Sequence, residues 1–107
     1  MSNKKYCIII PVFNDWDKLI TQMAYYNSLA RLLNVNVVIV DNGSSFIPEL
    51  SDFESVNLIS CLKPGSYSAR NYALREYLSI SDYFIFTDSD CVPNKMWFKS
   101  ISEFYAD

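Results

Sequence analysis

The sequence predicts an α/β protein, a three-layer α/β/α sandwich built on a mainly parallel sheet. Three observations predict it. Short β-branched runs such as "CIIIPV" and "NVVIV" are apolar without alternation, as strands buried on both faces are. Between them lie segments whose apolar residues recur at three- and four-residue steps, the pattern of amphipathic helices. Strands alternating with helices in this way pack as a parallel sheet covered on both sides.

The first strand is "YCIIIPVF", Tyr6 to Phe13, closed by Pro11. Beyond Asn14 the period changes. Trp16, Leu19, Ile20, Met23, Ala30 and Leu33 predict a helix of about five turns, with Asn14 or Asp15 as its cap. Tyr25 and Tyr26 read as packing residues. Val35 to Val40 is the second strand, stopping in Asp41 and a turn at Asn42-Gly43. Ser55 to Leu62 is a weaker third strand, broken by "KPGS". A helix over "SYSARNYALREYLS" follows, with Ala69, Tyr72, Ala73, Tyr77 and Leu78 on one face and Ser66 or Ser68 as cap. "DYFIFTDSD" gives a fourth strand, its apolar run read as buried. In "PNKMWFKSISEFY" a last helix turns Met96 or Trp97, Ile101 and Phe104 inward, within an apolar stripe that also holds Phe98 and Tyr105.

A chain of 107 residues has room for one core, so residues 1–107 are expected to form a single domain. A net charge of −3, with Lys4 and Lys5 a pair rather than a patch, argues against nucleic acid as the partner. The absence of histidine removes Ser/His/Asp and Cys/His catalysis and histidine-ligated zinc. Cys7, Cys61 and Cys91 lack paired spacing and read as free, buried or half-buried thiols, which suits the cytoplasm. No apolar stretch approaches the length of a membrane span, and the N-terminus has no secretory pattern. The expected setting is cytoplasmic, including the cytoplasmic face of a membrane in the context of a longer protein.

Ligands of open parallel sheets bind beyond the carboxyl ends of the strands. Asp41, Asp88 and Asp90 all fall at that rim, and the helix opening at Ser66 to Arg70 adds N–H groups and a guanidinium suited to an anion. Asp41 alone fits a turn former, and Arg70 alone fits a solvated residue. Asp88 and Asp90 differ, because two carboxylates one residue apart repel and a divalent cation relieves that repulsion. Without histidine the cation should be hard, Mg²⁺ or Mn²⁺.

"IIIPVFN" at 8–14, "VVIVDNGSS" at 37–45, "GSYSARNYAL" at 65–74 and "FIFTDSDCVP" at 84–93 together resemble the donor half of family 2 glycosyltransferases with the Rossmann-like GT-A fold. The resemblance implies a metal-dependent, hexosyltransferase-like enzyme. Its donor would be a nucleotide sugar, UDP-, GDP- or dTDP-linked, and its acceptor a saccharide or a lipid-linked molecule. Pro11, Val12 and Asn14 match the loop beside the nucleotide, Asp41 the acid that accepts a hydrogen bond from the base, and Gly43 the turn after it. Arg70 and Asn71 match the segment closing over the nucleotide. Asp88 would face the ribose and the metal shell, Ser89 is the middle residue, and Asp90 would ligate Mn²⁺ or Mg²⁺ directly. Asn42 stands where the family often has a second Asp, at a position expected not to touch the donor.

In inverting members the carboxylate that deprotonates the acceptor lies well downstream, with the acceptor-binding surface. The chain therefore reads as a truncated or short nucleotide-sugar-binding domain without that base, and its catalytic residues are unknown. Two other readings stand beside it. One is a non-catalytic nucleotide-binding or assembly module, with self-association left open. The other is a phosphatase of haloacid-dehalogenase type, with Asp88 as nucleophile and Asp90 as acid/base, an arrangement that normally occupies a first strand.

Overall fold

β1 (Tyr6–Val12) is buried along its whole length because it has a parallel strand on each side. The computed structural model describes residues 4–33, 35–93 and 97–104, the last four by backbone alone. β2 (Asn36–Asp41) pairs with β1 over Cys7–Val12, and β3 (Asn57–Ser60) pairs with β2. β4 (Tyr83–Phe86) lies on the other side of β1, so the order is β3-β2-β1-β4, all parallel. Adding β4 on the opposite edge from β2 and β3 creates a switch point between β1 and β4, where the loops leaving two adjacent strands diverge.

Alternation along β1 and β2 divides the core. Ile8, Ile10, Val12, Val37 and Ile39 pack against Trp16, Leu19, Met23, Tyr26 and Leu29. These come from α1 (Trp16–Leu19) and α2 (Met23–Leu33), while Phe98 joins the same cluster from α4 (Trp97–Phe104). Cys7, Ile9, Val38 and Val40 face the other way, onto Ala69 and Ala73 of α3 (Ser66–Tyr77). Helices thus cover both faces of the sheet, as the predicted three layers require. Each fully buried Ile of β1 contributes on the order of 1.5–3 kcal/mol by leaving water.

Several sequence expectations shift. The long first helix is interrupted by a 3₁₀ turn at Ile20–Gln22, where the Thr21 hydroxyl donates to the Lys18 carbonyl at 2.7 Å and competes with the regular ladder. A 3₁₀ turn advances faster than an α-helix, rotating the following residues by about 60° over its three positions. The inward stripe consequently runs through Tyr26 and Leu29, leaving Leu33 55% exposed. Leu78 lies past the end of α3, in a second 3₁₀ turn, and is likewise exposed. β4 is an edge strand, half-buried rather than buried, and Phe86 is exposed. Cys7 and Cys61 are buried, but Cys91 is exposed; all three are free thiols. Of the predicted last-helix stripe, Met96 and Tyr105 and the side chains of Ile101 and Phe104 lie outside the described residues.

Candidate functional site

Pro11 sits in a central strand, where a missing N–H would ordinarily break a ladder. The loss has no effect here. Val12 and Ile9 show how the strand is turned: the Val12 carbonyl accepts from Asn42 on the β2 side, and the Ile9 carbonyl accepts from Thr87 on the β4 side. Pro11, two residues after Ile9, therefore faces the β4 side just beyond the last β1·β4 pair, Ile9 with Phe86. Pairing stops there and a cleft of about 270 Å³ opens, lined by Pro11, Val12, Phe13, Asp15, Asn42, Ser66, Asp88 and Ser89.

The loop after β1 is fixed to the loop after β2. Asn14 adopts the left-handed conformation (φ 54°), which Asn tolerates better than most residues. Its N–H donates to Ser44 Oγ at 2.9 Å, and its Oδ1 accepts from the Ser45 N–H at 2.8 Å. Asp15 takes the helix-cap position but makes no side-chain cap; its Oδ2 accepts from the Ser89 hydroxyl at 2.8 Å, and its Oδ1 lies 3.6 Å from Lys18 Nζ.

Asp41 is 2% exposed. Its Oδ1 accepts from Trp16 Nε1 at 2.9 Å, and its Oδ2 from the N–H groups of Ser44 (3.0 Å) and Gly43 (3.2 Å). Burial alone would raise the carboxyl pKa, but the Ser44 hydroxyl, the Trp16 indole and the two backbone N–H groups outweigh it and hold the group below its ordinary value. Gly43 has φ 94°, which a side chain would strain, and that conformation lets the turn wrap round the carboxylate.

Asn42, expected to stand away from the ligand, lines the cleft. Its Nδ2 donates to the carbonyls of Cys61 and Lys63, both at 2.8 Å, which leaves Oδ1 as the open acceptor among the described residues. It also lines an adjoining cavity of about 410 Å³ with Phe13, Gly43, Leu62, Pro64, Gly65 and Ser66. The first cavity carries the acidic groups, and apolar walls dominate the second.

On the far wall, Gly65 (φ 101°) turns the chain into α3, which has no side-chain cap. Its first N–H groups therefore keep their capacity to donate, at the positive end of the helix. One turn on, Arg70 Nη2 donates to Asp88 Oδ1 at 3.0 Å, joining α3 to the end of β4. The Arg70 Nε is buried without a partner. Asn71 is half-buried and Asp90 exposed; neither lines the two cavities. The chain turns at Asp88–Cys91, where the Cys91 N–H donates to the Asp88 carbonyl at 3.1 Å.

The cleft thus unites Pro11, Val12, Asp88 and Ser89, with Arg70 tied to it through Asp88. Asp41 and Asn14 stand behind it as supports. Sequence reasoning missed Asp15 and Asn42 as lining residues, and it treated Trp16 only as core. Among the described residues no group of three or more acidic or thiol side chains is arranged to hold a metal. Asp88 and Asp90 supply exposed carboxylate oxygens at one rim. That set fits a hard cation only when phosphate and water complete its shell, as Mg²⁺ commonly requires.

A model of the family described as glycosyl transferase family 2 matches residues 7–107. No curated protein matches the chain. Among solved structures, residues 1–349 of Staphylococcus aureus TarS are similar at a TM-score of 0.68 and 24% identity, over 94% of this chain and 32% of that one. The same protein solved with UDP-GlcNAc gives 0.66 and 23%, over 94% and 30%. Mycobacterium tuberculosis glucosyl-3-phosphoglycerate synthase, solved with Mn²⁺, uridine diphosphate and glucosyl-3-phosphoglycerate, gives 0.68 and 19%, over 91% and 38%. At these identities the likeness is one of fold. The chain spans about a third of the length of these structures. No helix among the described residues is long and apolar enough to cross a membrane.

Proposed function

Because the chain belongs to glycosyl transferase family 2, we propose that residues 1–107 form a single domain whose cleft binds a nucleoside-diphosphate sugar with a divalent cation. It would serve as the donor side of glycosyl transfer to an acceptor hydroxyl, saccharide or lipid-linked. The observation that carries this reading is the meeting of Arg70, Asp88 and the uncapped start of α3 on one cleft at the switch point. A diphosphate needs positive charge and N–H donors, and this wall has both.

In this reading the diphosphate lies between Ser66 and Arg70, with Asn71 supporting the same segment. The base enters the adjoining cavity between Phe13, Leu62 and Pro64. There the open Oδ1 of Asn42 accepts an N–H, which uracil, thymine and guanine each present on their pairing edge. The base contact first assigned to Asp41 would have to compete with three donors already at its oxygens, so Asp41 instead holds the Gly43–Ser44 turn from behind. Pro11, Val12 and Asn14 shape the floor. Asp88 and Asp90, with Ser89 between them, would hold Mn²⁺ or Mg²⁺, Asp90 directly. When bound, the ion supplies Lewis-acid stabilisation to the departing nucleoside diphosphate. A cytoplasmic setting belongs to the same reading, on the strength of three free thiols.

Titrating the chain with UDP, GDP and dTDP, with and without Mn²⁺, tests the proposal. At least one should bind more tightly with Mn²⁺, and Asp90→Asn should remove that gain. If metal changes the affinity of no nucleotide, the assignment of Asp88 and Asp90 is wrong.

A further inference from the structure

Ser89, the residue between the two acids, has no duty if it is only a spacer. Its surroundings say otherwise. Ser89 Oγ donates to Asp15 Oδ2 at 2.8 Å, across the gap between the end of β4 and the end of β1. Asp15 is firmly placed: its carbonyl accepts from the N–H groups of both Lys18 and Leu19 at 3.2 Å, and the preceding Asn14 is fixed to Ser44 and Ser45. The Asp88–Cys91 turn is less firmly placed. It follows an edge strand, and after the Thr87 N–H bond to Ile9 its only backbone tie is the internal Cys91 to Asp88 bond.

We infer that Asp15 and Ser89 form a latch that positions the acidic turn, so that Asp15 is a positioning residue for whatever Asp88 and Asp90 hold. The latch rests on the donor-binding reading only for what the turn is aimed at. The geometry supplies the reason. With Ser89 drawn inward onto Asp15, its neighbours on either side are held at the rim, one against Arg70 and the other exposed. Asp15 can do this because it is released from capping α1, and a carboxylate is the stronger acceptor for a hydroxyl. Without the hydroxyl, half-buried Asp15 loses the donor at Oδ2 and the turn loses its one side-chain tie to the β1 loop.

Two readouts test the latch. The first needs no ligand: amide hydrogen exchange at Asp90 and Cys91 should accelerate about tenfold in Ser89→Ala and in Asp15→Ala, the scale of one charge-assisted hydrogen bond. The double variant should be no faster than either single one. Ser89→Thr, which keeps the hydroxyl, and Asp15→Asn, which keeps an acceptor, should restore slow exchange. The second readout is the ratio of UDP affinities with and without Mn²⁺, which should fall in Ser89→Ala and recover in Ser89→Thr. Unchanged exchange in Ser89→Ala, or additive acceleration in the double variant, overturns the latch. Where the parent chain shows no Mn²⁺ effect, the donor reading fails and the exchange data alone decide the latch.

Discussion

Asp41 shows how far a single residue can be read without coordinates. Its place at the end of a buried strand is evident from "VVIVD", and alternation puts it on the face of Val37 and Ile39. What it meets there is not evident, because Trp16 stands 25 residues away and reaches it only once α1 is laid on the sheet. The turn-former and binding readings were both open in the sequence; the donors round both oxygens favour support over contact. Asn42 is the converse case, an amide whose side of the sheet follows from the same alternation but whose place in two cavities depends on the loop after β3. The depressed pKa of Asp41 has a thermodynamic consequence. A carboxyl whose folded pKa lies below its unfolded value adds stability above that unfolded value, near pH 3.8, and loses it as pH falls through the folded pKa. Asp41→Asn should therefore cost about 2 kcal/mol in urea unfolding at pH 7, since one set of donors would meet an NH₂ group. It should also flatten the acid side of the stability curve below pH 4. A variant that keeps the parent's acid slope would show that Asp41 is not the group responsible.

Elements were legible where their own residues decide them and less so where neighbours do. β1 and β2 appear in the sequence almost to their ends because both faces are buried and no polar residue interrupts them. β3 and β4 carry similar apolar runs, yet each has a strand on one side only, and strand order is a property of the whole sheet. The first helix was legible as amphipathic, but its phase slipped at Thr21, whose hydroxyl bond to Lys18 no periodicity count includes. α3 presents only Ala69 and Ala73 as fully buried contacts, and small side chains let its backbone lie close to Cys7, Ile9, Val38 and Val40. That closeness positions the start of α3 and Arg70 against the end of β4. Ala73→Leu should overpack the contact and lower stability by about 1–3 kcal/mol. Because α3 must then move off the sheet, UDP affinity should also fall although residue 73 is a full turn from Arg70 on the packed side. Ala73→Leu with parent stability would mean that α3 has room above the sheet that the packing does not show.

At the scale of the whole molecule, the feature that matters is the reversal of strand order. A chain that added β4 beside β3 would have the same strands and helices and the same four motifs, but Asp88 would end up on the far side of β2 and β3, away from Pro11 and Asp15. The sequence contains the acids; the β3-β2-β1-β4 order brings them to Arg70 and the start of α3. The order also gives the two core clusters a common wall, since adjacent residues of β1 and β2 belong alternately to one and the other. Neither helical layer can leave without exposing residues of the strands that the other needs. Unfolding should accordingly be a single transition, with tryptophan fluorescence and far-ultraviolet circular dichroism coincident. A ligand at the switch point touches β1, β4 and α3 together, so its binding energy should be added to the stability of the whole unit. At a nucleotide concentration of about 100 times Kd, linkage gives about 2.7 kcal/mol. For a domain of this size that corresponds to a rise in Tm of roughly 10 °C or more. Calorimetry with UDP and Mn²⁺ should show one peak moved upward intact. A peak that splits, with one part left at the ligand-free temperature, would mean that the two faces unfold separately and that the β1–β2 wall does not couple them.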